Sequence, residues 1–248
     1  MPSVSRGSVA ERPRSARPSP TGSVAVGYLD PGTWSACFGL SYRDLLVADL
    51  AGARRITGDE LRVVAGTGDV PAGRNLICRG FLATDAEWLW MVDSDMGFAP
   101  DTVERLVEAA DPVRRPVVGA LCFGLAHRET GPFHTLRHDI RPTLYLKHGT
   151  GFRAVLDYPR DRVVRVSATG AACLLVHRDA LEAVRRRAGP VWFDPIAPLS
   201  EDLSFCVRLA EAGIATHVHT GVKTVHHKGG GYLDEQAYDA VRRSSPRG

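Results

Sequence analysis

Long hydrophobic segments are missing from this chain of 248 residues. Its longest apolar stretches, such as Trp88–Val92 and Gly170–Val176, are far shorter than the roughly 20 residues that a membrane helix needs. The N-terminal region also lacks the apolar core of a signal peptide. We therefore predict a soluble, cytoplasmic protein with no integral membrane segment.

Cysteine is scarce and irregularly spaced. The five cysteines are an odd number, and none belongs to a C-x-x-C pair. This pattern argues against a disulfide framework, a structural zinc site and thiol redox chemistry. It predicts buried free thiols in a reducing compartment.

A basic excess is absent from most of the chain. Lysine occurs only three times, and residues 1–22 contain four arginines and one glutamate, so that the formal net charge of +3 lies entirely in this segment. Residues 23–248 carry equal numbers of acidic and basic side chains. We therefore predict no nucleic-acid partner, since such proteins usually carry a basic patch. Residues 1–22 are predicted to be a disordered leader rich in Arg, Ser and Pro.

The apolar pattern predicts alternating strands and helices in the first half of the chain. Predicted strands cover Ser23–Tyr28, Leu61–Ala65, Trp88–Val92 and Val117–Leu121, and predicted helices cover Leu40–Arg55, Pro71–Ala83 and a segment after Pro100. This alternation favours an α/β fold with a mostly parallel sheet covered by helices on both faces. We expect residues 23–236 to form a single domain and residues 237–248 to hold the last helix end and a tail.

The second half of the chain has more closely spaced strands, which predicts a mixed sheet. Strands are predicted near Leu144–Lys147 and at Val163–Val166, Ala171–Val176, Ile214–His219 and Val222–His226, and helices at Asp179–Arg187, Glu201–Ala212 and Asp234–Arg243. Residues 122–160 are rich in His, Arg, Gly and Pro and are predicted to be mainly a long functional loop. In such sheets, ligands bind beyond the carboxyl ends of the strands.

Two acidic residues, Asp93 and Asp95, follow the apolar strand Trp88–Val92. On an extended chain, side chains two residues apart point to the same side, so both carboxylates could face one ligand. Such an oxygen cluster suits Mg²⁺ or Mn²⁺ carrying a phosphorylated ligand. The alternative is a strand-end turn in which the aspartates cap backbone N–H groups.

A second acidic pair, Glu201 and Asp202, follows Ser200 at the start of a predicted helix. Acids in a first helical turn complement the helix dipole, which is one sufficient explanation of the pair. The functional alternative is that one carboxylate accepts a proton from an acceptor hydroxyl.

The segment His226-His227-Lys228 closes the last predicted strand. Imidazole often joins carboxylates in Mn²⁺ sites, and alternation along a strand allows only one of the two histidines to face a cleft. Lys228 could reach a phosphate. The alternative is a pair of structural or solvated histidines.

Arg74 and Asn75 lie early in the helix that begins at Pro71. The forked donor set of arginine suits a diphosphate, and helix N-termini favour anions. A solvated first turn is the alternative.

In this order along the chain, the motifs resemble those of GT-A-fold glycosyltransferases, especially family 2-like enzymes and their metal-dependent relatives. The resemblance runs from about Ser23 to Tyr232. It rests on the first predicted strand and on five segments: AGRN at Ala72–Asn75, EWLWMVDSDMGF at Glu87–Phe98, TGAACLLVHRDAL at Thr169–Leu181, SEDLSFCVRLAEAG at Ser200–Gly213, and VHHKG at 225–229. It implies a Rossmann-like α/β fold with a mostly parallel mixed sheet.

The resemblance also implies a divalent metal, Mn²⁺ or Mg²⁺. Asp95 resembles the metal-ligating second acid of a D-x-D motif, and Asp93 would contact the metal or the donor ribose. His226 resembles the additional metal ligand near the C-terminus. If the strand is shifted by one residue, His227 takes that role instead.

The remaining site residues are implied in the same way. Asp202 resembles the catalytic base, with Glu201 beside it. Arg74 and Asn75 lie where such enzymes hold the donor nucleotide, and Lys228 would assist at the phosphates. The first loop, Tyr28–Gly32, matches the nucleotide-contacting pattern of the family only loosely.

We therefore expect a metal-dependent glycosyltransferase of hexosyltransferase type, which moves a sugar from a nucleoside-diphosphate sugar to an acceptor hydroxyl. The acceptor could be a glycan, a protein or a small molecule. A metal-dependent nucleotidyltransferase should have a basic Gly-rich loop near the N-terminus, and Ser23–Thr33 has no basic residue. A glycosidase would need two carboxylates across a cleft, such as Asp93 and Glu201, although the fold pattern argues against it. A non-catalytic module that binds a nucleotide sugar remains the third alternative.

Overall fold

The computed structural model describes residues 22–64, 69–130, 135–228 and 230–244. The predicted leader lies outside these residues except for Gly22. The last residue of the predicted strand Leu61–Ala65 and the C-terminal four residues also lie outside them.

Strands and helices alternate in the first part of the described chain, and eight consecutive strands follow between residues 117 and 177. The strands are β1 (Val24–Asp30), β2 (Ile56–Val64), β3 (Trp88–Val92), β4 (Met96–Phe98), β5 (Val117–Leu121), β6 (Phe123–Thr130), β7 (Thr135–Pro142), β8 (Leu144–His148), β9 (Gly151–Ala154), β10 (Val163–Val166), β11 (Ala168–Thr169), β12 (Cys173–His177), β13 (Thr216–Lys228) and β14 (Gly231–Leu233). The helices are α1 (Ala36–Ala51), α2 (Val70–Leu82), α3 (Thr102–Ala109), α4 (Arg178–Ala188), α5 (Glu201–Glu211) and α6 (Glu235–Ser244).

The central sheet has the strand order β10-β13-β5-β12-β3-β1-β2. Strand β1 runs parallel to β2 and β3, and β5 runs parallel to β13. Strand β12 lies antiparallel between β3 and β5, and β10 is antiparallel to β13. The mixed sheet is therefore confirmed.

Helices cover both faces of this sheet, and its central strands are therefore buried on both sides. Along β3, Trp88, Trp90 and Val92 pack with α1 and α3, whereas Leu89 and Met91 pack with α2, α4 and α5. This alternation assigns each face of the sheet its own apolar cluster. The predicted cover of helices on both faces is confirmed.

Two predictions about the second half of the chain were wrong in detail. The predicted strands Ile214–His219 and Val222–His226 form one strand, β13, with a register irregularity between His219 and Lys223. Most of the predicted loop 122–160 is strand: β6 and β7 form a hairpin, and β8 and β9 join β11 in a small sheet. These strands carry no clear apolar alternation, because they lie beside the main sheet rather than inside it.

The cysteines match the prediction of free thiols. All five cysteines are free; four are buried, and Cys37 is half-buried. Among the described helices, none has both the length and the apolar character that crossing a membrane requires.

Candidate active site

The carboxyl end of β3 carries Asp93 and Asp95 in a tight turn. The backbone N–H of Met96 donates to the carbonyl of Asp93 at 3.1 Å, so the segment turns instead of remaining extended. The expectation of an extended chain through Asp93 and Asp95 is therefore wrong. The side chains of the two residues contact different protein partners.

Asp95 lies against His226, because the end of β13 pairs with β4 and places His226 opposite Met96. The imidazole Nε2 lies 3.3 Å from Oδ2 of Asp95, and Nδ1 lies 2.9 Å from the carbonyl oxygen of Phe123. A carbonyl can only accept, so Nδ1 carries the proton of that hydrogen bond. In the neutral imidazole, Nε2 then presents a lone pair toward Asp95.

Lys228 and His226 share the carboxylate of Asp95. Lys228 donates to Oδ2 at 2.7 Å, beside the contact with His226. Burial opposes ionisation of Asp95, but the hydrogen bonds from His226 and Lys228 outweigh it and lower its pKa to about 2. Burial likewise opposes protonation of His226, and the contacts with Asp95 and the Phe123 carbonyl outweigh it, so that the pKa of His226 is raised.

The two adjacent histidines separate as strand alternation requires. The ring of His227 packs against Tyr232, with the ring centroids 5.3 Å apart. Its contact with the acidic turn is through the backbone, where its N–H donates to the carbonyl of Asp95 at 2.9 Å. His226 is thus the histidine whose side chain reaches Asp95.

Arg74 lies buried at the centre of a second cluster and joins three carboxylates. Its guanidinium donates to Asp93 at 3.0 Å, to Glu201 at 3.0 Å, and to Asp202. The carboxyl end of β3 and the first turn of α5 are thereby joined through one side chain of α2. The three carboxylates raise the pKa of Arg74 against the opposing effect of its burial.

Asp202 is an acid of this cluster with a raised pKa. Burial raises its pKa to about 6, and the negative charges of Glu201 and Asp93 add to the rise, while the charge of Arg74 opposes it. The side chain of Asp202 remains 24% exposed, so solvent reaches part of it. A carboxylate with such a pKa can accept a proton near neutral pH.

The side chain of Asn75 makes hydrogen bonds to other parts of the protein. Its Nδ2 donates to Asp194 at 2.5 Å, and its Oδ1 accepts from the backbone N–H of Phe193 at 2.9 Å. Both amide atoms of Asn75 are therefore engaged by the segment that precedes α5.

The first loop contains a polar pair that sequence reasoning missed. Asp30, the last residue of β1, accepts from the N–H of Gly32 at 2.7 Å and from Nε of Arg62 at 2.6 Å. Trp34 follows with 44% of its surface exposed, and its ring meets the edge of Tyr28 with the centroids 5.6 Å apart. The available signal was the acid that ends the first strand, at the same sheet edge as Asp93.

Comparison with known proteins supports the assignment of the fold. No family model and no curated protein sequence matches the chain. The solved structure of A197 from STIV matches with a TM-score of 0.53 and 16% identity, over 86% of this chain and 91% of that one. GalNAc-T7, solved with UDP, GalNAc and Mn²⁺, matches with a TM-score of 0.55 and 10% identity, over 84% of this chain and 44% of that one.

The chain has the GT-A fold. The chain spans less than half the length of GalNAc-T7, and at these identities the likeness concerns the fold alone.

The residues at the acidic turn of this GT-A fold fit a divalent metal. Oδ1 of Asp95 is buried and has no hydrogen-bond partner among the described residues, and Nε2 of His226 lies beside the same carboxylate. The described part of the chain contains no group of three His, Cys, Asp or Glu side chains arranged around one metal position. The described residues would therefore supply only two metal ligands, the carboxylate of Asp95 and the imidazole of His226. The bound substrate or water would complete the coordination.

Proposed function

We propose that this protein is a metal-dependent glycosyltransferase that transfers a sugar from a nucleoside-diphosphate sugar to an acceptor hydroxyl. The observation that carries the proposal is the contact between Asp95 and His226 at the carboxyl end of β3. Asp93 is in the same turn, and Arg74 links it to Asp202, whose pKa suits a base. One sheet edge therefore combines a metal-type donor pair with a candidate base.

Asp95 and His226 are the protein ligands that we assign to Mn²⁺ or Mg²⁺. The unpartnered oxygen of Asp95 and the Nε2 lone pair of His226 support this assignment. A bound divalent ion would neutralise charge that develops on the leaving diphosphate. GalNAc-T7, which shares the fold, was solved with Mn²⁺ and UDP.

We assign the donor to the first loop and the acidic turn. Asp30 and Arg62 supply hydrogen-bonding groups at the ends of β1 and β2, and the exposed ring of Trp34 offers a face for a base. Lys228 is the cation that we expect at the diphosphate, because its side chain is half exposed. Arg74 is already engaged by three carboxylates, so we assign it to positioning the acids rather than to binding phosphate.

Asp202 is the residue that we assign as base. In an inverting reaction it would take the proton of the acceptor hydroxyl during in-line attack. In a retaining reaction the diphosphate itself would take that proton, and Asp202 would position the substrates. Asp93 remains beside the donor, where it would contact the ribose.

A screen of nucleotide-sugar donors, with and without Mn²⁺, tests the proposal. Thermal shift should show a donor-dependent rise in melting temperature that requires Mn²⁺, and slow donor hydrolysis should accompany it. Asp95→Asn and His226→Ala should each abolish the Mn²⁺ dependence, whereas His227→Ala, whose ring faces Tyr232, should retain it. Unchanged Mn²⁺ dependence in the Asp95 and His226 variants would contradict the site.

A non-catalytic module that binds nucleotide sugars is the second candidate. The ion pair between Lys228 and Asp95 favours it, because that cation already compensates the carboxylate. The two functions differ in the hydrolysis assay: a binding module should show the donor-dependent thermal shift without turnover.

A further inference from the structure

A cavity of about 780 Å³ lies beside α5, outside the acidic clusters. Its walls come from the hairpin of β8 and β9, from β10, from residues 196–199, from the second half of α5 and from the start of β13. This volume is within the range of small-molecule sites in proteins, about 300–1,000 Å³. The residues that we assign to donor and metal do not line it.

Helix α5 connects this cavity to Asp202. Residues four apart on a helix share a face, so Asp202, Cys206 and Ala210 lie in one row. Cys206 and Ala210 line the cavity, and Leu199, just before the helix, lines its near end. At a rise of about 1.5 Å per residue, the row extends roughly 12 Å from Asp202 to Ala210.

Strand β8 forms a second connection to the same carboxylate. A Cβ atom placed on Gly170 would lie 3.6 Å from Oδ2 of Asp202 and 3.7 Å from Cβ of Thr143, just before β8. Tyr145 and Lys147 lie on one side of this strand, because side chains alternate along it. Burial and then the charge of Asp202 raise the pKa of Tyr145, and Lys147 lines the cavity.

The lining combines an apolar surface with two cations. Its apolar members include Phe152, Val166, Ile196, Leu199, Val207 and Ile214. Lys147 and Arg165 also line it, and neither forms an ion pair with a carboxylate in the described part of the chain. Glu211, also at the wall, has Arg187 at 3.9 Å. The chemistry therefore suits a molecule with an apolar body and an anionic group.

We propose that this cavity holds the acceptor, and that the acceptor is an amphipathic small molecule whose carboxylate or phosphate lies roughly 13 Å from its reacting hydroxyl, because Thr143 lies near Asp202 and the strand rises about 3.3 Å per residue from Thr143 to Lys147. The inference rests on the proposed function. For in-line transfer, the hydroxyl oxygen bonds to the anomeric carbon of the donor and its proton passes to Asp202. The bond from that carbon to the diphosphate breaks, and the diphosphate leaves with the electron pair.

Three matched probes test the acceptor class: 12-hydroxydodecanoate, 12-hydroxydodecyl phosphate and the neutral 1,12-dodecanediol. Binding is measured by calorimetry below micelle-forming concentrations, and transfer by the mass of the product. We expect at least one anionic probe to bind about tenfold more tightly than the diol, and the better of the two identifies the anion. Equal affinity for the diol would overturn the proposal.

Variants of the wall locate the binding. Ala210→Trp fills the cavity from an exposed helical position and should weaken the anionic probe at least about tenfold. Lys147→Glu and Arg165→Glu, both exposed, should each weaken it about tenfold while leaving the fold intact. The controls Ala48→Trp and Arg186→Glu, exposed on α1 and α4, should bind like the original chain. Binding unchanged by all three wall variants would overturn the proposal.

Donor hydrolysis by water separates this inference from the function on which it rests. Ala210→Trp should retain Mn²⁺-dependent hydrolysis, because the cavity lies outside the donor residues. If the original chain hydrolyses the donor but the wall variants bind the probe unchanged, the acceptor site alone is overturned. Wall-dependent binding without hydrolysis or transfer in the original chain would overturn the glycosyltransferase and, with it, the acceptor role of the cavity.

Discussion

The ammonium of Lys228 lies 2.7 Å from Oδ2 of Asp95, on the carboxylate that His226 also contacts. A cation beside a proposed metal ligand competes electrostatically with the metal. Lys228 and Asp95 therefore form the contact that metal binding has to rearrange.

Replacing Lys228 by Met should tighten Mn²⁺ binding, because one competing charge is removed. The side chain of Lys228 is half exposed, so the gain should not exceed about fivefold. Calorimetry or Mn²⁺ paramagnetic resonance measures the affinity directly. Lys223→Met is the matched control, because Lys223 lies on the same strand but pairs with Glu235 instead of Asp95. Weaker Mn²⁺ binding in Lys228→Met than in this control would show that Lys228 supports the metal site.

Sugar transfer should depend on the ionisation of Asp202. Because burial raises its pKa to about 6, the carboxylate is mostly protonated below pH 6 and mostly ionised above it. If Asp202 is the base, kcat/KM should rise with pH through about 6 and then level off. Asp202→Asn should lower kcat about 10²–10⁴-fold.

Glu201→Gln provides the control for that pH profile. The charge of Glu201 raises the pKa of Asp202, so its removal should move the inflection to lower pH. The variant keeps Asp202 and should therefore remain active. An inflection that stays at the same pH in Glu201→Gln would contradict its assignment to Asp202.

Arg74→Met should destabilise the fold in a pH-dependent way. Without the guanidinium, Asp93, Glu201 and Asp202 lose their buried counter-charge, at a cost of about 3–5 kcal/mol in the free energy of unfolding near neutral pH. The pKa of Asp202 is already raised above its unfolded value, so its contribution to stability falls as pH rises through about 6. Loss of Arg74 raises that pKa further and enlarges the fall.

Urea unfolding at pH 5 and pH 8 measures this effect. We expect Arg74→Met to lose more stability, relative to the original chain, at pH 8 than at pH 5. Arg79→Met, on an exposed position of the same helix, should lose little at either pH. An equal loss at both pH values would mean that Arg74 acts through packing, for example over the ring of Phe193, rather than through charge.

Asn75→Ala should lower stability rather than donor affinity. The substitution leaves the buried N–H of Phe193 without its acceptor and frees Asp194, which should cost about 1–3 kcal/mol. Urea unfolding and the KM for the donor are measured on the same protein. A raised donor KM with unchanged stability would instead support the nucleotide-binding role that the sequence motif suggested.

The central strands could be predicted from the sequence because burial on both faces leaves continuous apolar runs. The bounds of β3 and β5 match the predictions to the residue. The start of α1 was missed by four residues, because Ser35 caps the helix with its side chain at the N–H of Phe38 before the apolar pattern begins. Strands β6 and β7 were missed because a hairpin beside the main sheet does not need that pattern.

For the candidate site, sequence reasoning identified the residue types better than their partners. Asp95 and His226 were expected together, and the structure brings them into contact. Arg74 was expected at a phosphate, and it instead lies among acids, up to 128 positions away along the chain. That partnership depends on how α2 packs between the end of β3 and α5, which no local pattern encodes.

The irregularity in β13 determines which imidazole meets the acidic turn. Between His219 and Lys223 this strand advances four residues while its neighbour β5 advances one, from Ala120 to Leu121. Deleting or inserting a single residue in that bulge would reverse the facing of every side chain beyond it. After a one-residue deletion, His227 would occupy the position of His226. Related chains are therefore best aligned there by strand pairing rather than by residue number.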